Sequence, residues 1–96
     1  NVYPAEIENV MLAMDGVNEV AVIGIASEKW GESPLAVVVR ADESVTATAV
    51  LEFTDGKLAR FKQPKTVEFV DVIPRNPTGK VLKRVLRDQF DSAAAE

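Results

Sequence analysis

Lys80 sits in the segment PRNPTGKVLKRVLR, residues 74–87, of a 96-residue chain that contains neither histidine nor cysteine. Their absence removes the commonest proton shuttle near neutral pH, thiolate nucleophiles, disulfides and Cys- or His-ligated metals. Any chemistry must therefore rest on lysine, arginine, carboxylates, hydroxyls or main-chain amides. Asn76-Pro77-Thr78-Gly79 has turn chemistry: Pro77 presets the second position and Gly79 fills the fourth, as in a type I turn. Such a turn holds Lys80 at a loop tip, where an ammonium can bind one anion or align two. Gly79-Lys80 ahead of a helical pattern has the look of a phosphate-binding loop, but the spacing rejects it. The first glycine of G-x-x-x-x-G-K-[ST] falls on Pro74, and Val81 stands where the Mg2+-binding hydroxyl belongs. A merely solvated lysine is the competing reading.

Charge supports an anion-facing surface. Residues 57–87 hold Lys57, Arg60, Lys62, Lys65, Arg75, Lys80, Lys83, Arg84 and Arg87 against Glu68 and Asp71, a local balance of +7 in a chain whose net charge is −4. Cations concentrated in a third of an acidic chain suit an anionic partner. Solvation of two helices accounts for the same pattern.

Several elements must position these groups. YPAEIENVMLAMDG predicts a first helix: Pro4 suits its first position, Glu6 and Glu8 suit its dipole, and Asp15-Gly16 stops it. Ile7, Val10, Met11 and Met14 form its buried stripe. VNEVAVIGI and SPLAVVVRA predict central strands, joined by a loop, ASEKWGE, that carries the single tryptophan. A second helix is expected after Thr46 as N-cap, running with an interruption at Asp55-Gly56 to about Arg60. TVEFV reads as a short strand, 71–79 as a Pro-rich loop, and Val81 to Phe90 as the last helix. On that helix Val81, Leu82, Val85, Leu86 and Phe90 share one side, and Lys80, Lys83, Arg84 and Arg87 the other. A lysine at a helix N-terminus opposes the dipole there, which marks Lys80 as placed for something other than helix stability. The order αββαβα predicts an α+β fold, a small mixed β-sheet flanked by about three helices, as one domain over 1–96 with a frayed tail at 91–96.

The longest apolar run, Val20 to Ile25, falls far short of the roughly 20 residues of a membrane span. Without a signal peptide the cytoplasm is the expected compartment. The chain starts without methionine at a helix entry, as a piece of a longer polypeptide would.

Four segments, NVYPAEIE (1–8), VAVIGIASEKWGE (20–32), ARFKQPK (59–65) and VEFVDVIPRNPTGKVLKRVLRDQF (67–90), together resemble the mobile C-terminal domain of adenylate-forming enzymes. These are the acyl-CoA synthetases, peptide-synthetase adenylation domains and luciferases, and the likeness is strongest to long-chain fatty-acid-CoA ligases. The resemblance implies an N-terminal adenylation domain and a hinge upstream, and inactivity of the small domain alone. It implies that Lys80, matching the lysine of the P-x-x-x-x-G-K signature, serves acyl-AMP formation from ATP. It implies further that the small domain then rotates to present CoA, with Trp30, Phe61, Lys62 and Lys65 along the CoA nucleotide. Gln63 departs from an arginine found there in some relatives. Mg2+ is expected in the complete enzyme and not on this domain, and Lys80 is a candidate for regulatory acetylation.

Two other readings stay open. An adenylation domain of this kind can deliver its acyl group to a carrier protein instead of CoA. A small basic nucleotide- or nucleic-acid-binding module is permitted by charge, but no aromatic residue is interleaved with Lys80, Lys83, Arg84 and Arg87 to offer a stacking platform, so no nucleic-acid partner is expected. Chain length of the acyl substrate and membrane association are not encoded in these residues.

Overall fold

In VAVI and LAVVV neighbouring residues must face opposite sides of a sheet, so unbroken apolar runs call for cover on both faces. The computed structural model, which describes residues 3–27, 31–59, 62–64 and 66–95, has that arrangement. The chain order is α1 (Tyr3–Leu12), β1 (Val17–Ser27), β2 (Gly31–Arg40), α2 (Ala47–Thr54), β3 (Thr66–Phe69) and α3 (Lys83–Ala95). The strands form one sheet in the order β1-β2-β3. β1 runs antiparallel to β2, pairing Val22 with Ala36 and Ser27 with Gly31, and β2 runs parallel to β3, pairing Leu35 with Thr66 and Val38 with Phe69. A parallel neighbour needs a crossover, which the segment containing α2 supplies.

Strand parity splits the core in two. Val20, Val22, Ala36 and Val38 face Ile7 and Met11 of α1, with Val50 and Leu58, while Ala21, Ile23, Leu35 and Val37 face Leu86 and Ile73. The expected α+β fold of αββαβα order is therefore found, with helices on both sides of a three-stranded mixed sheet.

Local chemistry explains most boundaries. Gly16, at φ +93°, turns the chain from α1 into β1, and its carbonyl accepts from Ala41 N–H at 2.8 Å. Thr46 caps α2 as expected, its Oγ1 accepting from Ala49 N–H at 3.1 Å. α2 stops at Thr54 instead of resuming towards Arg60. Asp55 leaves helical geometry at ψ 128°, and the following turn buries Leu58 in the α1 face of the core, a gain that a straight helix would forfeit.

The strands also reach further than expected, to Ser27 and from Gly31, so Ala26, Ser27, Gly31 and Glu32 of the predicted loop ASEKWGE are strand, and residues 28–30 lie outside the described residues. The last helix begins at Lys83 and not Val81, because Val81 pairs with Arg75 and Leu82 N–H donates to the Pro74 carbonyl at 2.9 Å. At its other end it runs to Ala95, in keeping with the high helix propensity of its alanines. No helix among the described residues is long and apolar enough to cross a membrane.

Candidate functional site

Lys80 lies on a hairpin, three residues ahead of α3, and not on the cationic face of that helix. The hairpin closes through the Arg75–Val81 bridge and through Asn76 N–H donating to the Lys80 carbonyl at 2.9 Å. Between Asn76 and Lys80 run Pro77, Thr78 and Gly79: Gly79 N–H donates to the Asn76 carbonyl at 2.9 Å, and Gly79 takes φ +90°. A four-residue turn followed by a left-handed glycine is the usual build of a three-residue hairpin loop. It agrees with the turn read from Pro77 and Gly79.

The Asn76 side chain fills this loop. Its Oδ1 accepts from Thr78 N–H at 3.1 Å, Thr78 Oγ1 at 2.6 Å and Lys80 N–H at 3.0 Å. Both main-chain polar groups of Lys80 are thus engaged, while the residue itself is exposed. Arg75 adds a longer link: Nη1 donates to the Gly79 carbonyl at 2.9 Å and Nη2 meets Glu19 Oε1 of β1 at 2.7 Å. The result is an ammonium on a flexible stem carried by a constrained backbone, suited to bridging two anionic oxygens. Neither Asn76 nor Arg75 stood out in the sequence as more than turn and charge. An asparagine opening a turn that ends in glycine was the available signal.

The basic third of the chain is less open than its charge suggests. Lys62 Nζ pairs with Glu6 Oε1 at 2.9 Å, Lys83 Nζ with Glu8 Oε2 at 2.9 Å, and Arg75 with Glu19, so acids of α1 and β1 meet cations of the basic segment. Lys83 therefore does not join an unpaired cationic helix face. Glu8 has a second task, accepting from Val22 N–H of the edge strand β1 at 2.8 Å. Val85, expected in the apolar stripe, is 47% exposed, and the helix packs through Leu86 and Phe90.

Of the residues expected along CoA, Trp30, Phe61 and Lys65 lie outside the described residues. Lys62 is described and half-buried beside Glu6 in α1, and Gln63 Nε2 points to the Leu58 carbonyl at 3.5 Å, too long to hold it firmly. The structure thus ties Lys62 to α1 and the Lys80 hairpin to β1. A separate cleft of about 320 Å³ at the ends of β2 and β3 is lined by Val39, Arg40, Asp42, Phe69, Val70 and Asp71 among others, and holds none of the expected site residues. Arg40 stacks there 4.1 Å from the Phe69 ring centroid and donates to the Val45 carbonyl at 2.8 Å. The Ser44 hydroxyl, then its N–H, hold the Asp42 carboxyl below the usual aspartate range. Arg40 and Asp42 are thus engaged by neighbouring groups, and the Glu43 and Asp71 side chains share the lining.

The profile of the AMP-binding enzyme C-terminal domain matches residues 6–80, from α1 through Lys80. The chain belongs to that family. Among its relatives, the long-chain-fatty-acid–CoA ligase FadD13 of Mycobacterium tuberculosis is 53% identical over 92 residues, covering 96% of this chain and 18% of the relative. The fatty acid–[acyl-carrier-protein] ligase ScoC of Streptomyces coeruleorubidus is 50% identical over 96 residues, covering 97% of this chain and 18% of its own. The crystal structure of ATP-bound MatB from Rhodopseudomonas palustris superposes with a TM-score of 0.89 at 47% identity, over 94% of this chain and 18% of MatB. The chain thus spans about a fifth of the length of these relatives, and the AMP-binding C-terminal domain is the part that it matches.

Proposed function

We propose that this chain is the C-terminal lid of an ATP-dependent fatty-acid-CoA ligase and that Lys80 serves its first half-reaction. The observation that carries the reading is the hairpin itself, which pins the Lys80 main chain on both sides and leaves the residue exposed. In adenylation a carboxylate oxygen attacks the α-phosphorus of ATP, the bond to the bridging oxygen breaks and pyrophosphate leaves. Two anions must approach. An ammonium donating to a carboxylate oxygen and a phosphate oxygen aligns them and offsets the charge that accumulates between them, without having to change its own protonation. Mg2+ belongs, in this reading, to the larger part of the enzyme.

For the second half-reaction the lid turns as a body, withdraws Lys80 and presents a wall of the CoA site, where the thiol attacks the acyl carbon and expels AMP. Trp30 and Phe61 suit stacking on adenine, and Lys62 and Lys65 suit the phosphates. Lys62 would exchange Glu6 for a phosphate in that step.

The test separates the two half-reactions in the full-length enzyme. Lys80→Ala is expected to slow acyl-AMP formation by about a thousandfold, the scale of losing one well-placed transition-state donor. Thioester formation from supplied acyl-AMP should stay near the wild-type rate. Equal loss in both would sink the assignment. The relation to ScoC favours a second reading, with a carrier protein as acyl acceptor. Supplying acyl-AMP with CoA or with a pantetheinylated carrier decides between them.

Exposure of Lys80 also makes it a target for acetylation, which would remove the charge on which adenylation depends. Peptide mass spectrometry after exposure to an acetyltransferase and acetyl-CoA should find the acetyl group on Lys80; an unmodified Lys80 argues against the switch.

A further inference from the structure

We propose that Arg75 is a positioning residue for Lys80, tying the lysine hairpin to β1 through Glu19 so that the ammonium is presented in one attitude. This rests on the reading of Lys80 as the adenylation lysine. The Gly79 carbonyl and the Lys80 N–H belong to a single planar peptide unit. Arg75 Nη1 holds the carbonyl end at 2.9 Å, and Asn76 Oδ1 holds the N–H end at 3.0 Å. Held at both ends, that plane is restrained from rocking, and it carries the Cα from which the lysine stem leaves.

The two restraints differ in kind. Asn76 lies inside the hairpin, so its bonds set the shape of the loop and say nothing of its direction. Arg75 reaches out of the hairpin to Glu19, 56 residues away in sequence, and so sets how the hairpin sits against the sheet edge. Glu19 occupies the point where the β1–β2 register shifts, the kind of irregularity that re-aims a side chain. The task also suits arginine. A planar fork can serve a carbonyl and a carboxylate with separate nitrogens, which a lysine ammonium does with far less directional control.

Stability does not explain the pair. Its side chains are 41% and 38% exposed, and ion pairs that wet add little to folding. Reaction rate is far more sensitive to attitude, since a misplacement of about 1 Å can cost on the order of a hundredfold.

The experiment uses the full-length enzyme and reads each half-reaction separately in Arg75→Ala, Glu19→Gln, Lys80→Ala and the Arg75→Ala/Lys80→Ala pair. Arg75→Ala is expected to slow adenylation about 10- to 100-fold, with the melting temperature and thioester formation from supplied acyl-AMP unchanged. Glu19→Gln, which leaves every hairpin residue in place, should act in the same direction by less. In the Lys80→Ala background the Arg75 change should cost nothing more, because it works through a lysine no longer present. Wild-type adenylation in Arg75→Ala, a further loss in the double variant, or equal loss in both half-reactions overturns the proposal. If Lys80→Ala itself impairs both half-reactions alike, the reading of Lys80 falls and this one with it; selective loss in Lys80→Ala beside an indifferent Arg75→Ala removes Arg75 alone.

Discussion

Asn76 holds Lys80 by both of its main-chain polar groups, accepting its N–H on Oδ1 at 3.0 Å and donating to its carbonyl at 2.9 Å. One short side chain and one peptide group thereby close the loop inside the Arg75–Val81 bridge. Asn76→Ala in the full-length enzyme removes the acceptor for Thr78 and Lys80 together and should slow acyl-AMP formation by about tenfold or more. Asn76→Asp keeps the acceptor and should stay within a few-fold of wild type, as read by pyrophosphate release. An alanine variant of wild-type rate would show that the hairpin keeps its form without the side chain.

Gly16 and Gly79 both need positive φ, but only one of them is also crowded. A Cβ at Gly16 would meet Val45 Cγ2 at 2.6 Å, whereas one at Gly79 meets nothing within 4 Å. Gly79→Ala should therefore cost about 1 kcal/mol, from backbone strain alone. Gly16→Ala should cost about 1–3 kcal/mol more, because Val45 is buried in the core and cannot retreat freely. Urea unfolding of the two variants checks the ranking, and equal midpoints would contradict it.

Glu8 covers the exposed edge of the sheet, taking Val22 N–H at 2.8 Å and Lys83 Nζ at 2.9 Å on the same oxygen. It therefore links α1, β1 and α3, whose helices lie on opposite faces. Glu8→Ala leaves a part-buried strand N–H without its acceptor and should cost about 1–3 kcal/mol. Lys83→Ala removes only the ion pair and should cost under about 1 kcal/mol. Glu8→Gln retains an acceptor and should fall between them in urea unfolding. A Gln variant as damaged as the Ala variant would place the contribution in the charge and not in the strand cap.

Much of this architecture was legible in the chain because its causes are local. Thr46 announced α2, Asp15-Gly16 announced the end of α1, and the apolar runs around Val22 and Val37 announced strands covered on at least one face, although of the two only β2 is central and β1 lies at the sheet edge. Misreadings cluster where a distant contact overrode a local pattern. Burial of Leu58 ended α2 early, and the Arg75–Val81 bridge with the Leu82-to-Pro74 bond delayed α3 until Lys83. Val85, expected in the apolar stripe, is exposed, and Leu86 makes the contact with the sheet.

The residues 74–80, read alone, already specify a turn that carries an exposed lysine, since Pro77 and Gly79 settle backbone angles within four positions. The missing histidines and cysteines likewise settle that any chemistry runs through lysine, arginine, carboxylates, hydroxyls or main-chain amides. Which cations stay available was decided only by folding. Glu6, Glu8 and Glu19 find Lys62, Lys83 and Arg75 across the fold because strand parity and helix rotation bring them to one another, and neither can be counted along the chain. The direction of the Lys80 hairpin has the same origin: its shape is written in seven consecutive residues, and its aim depends on a carboxylate on another strand.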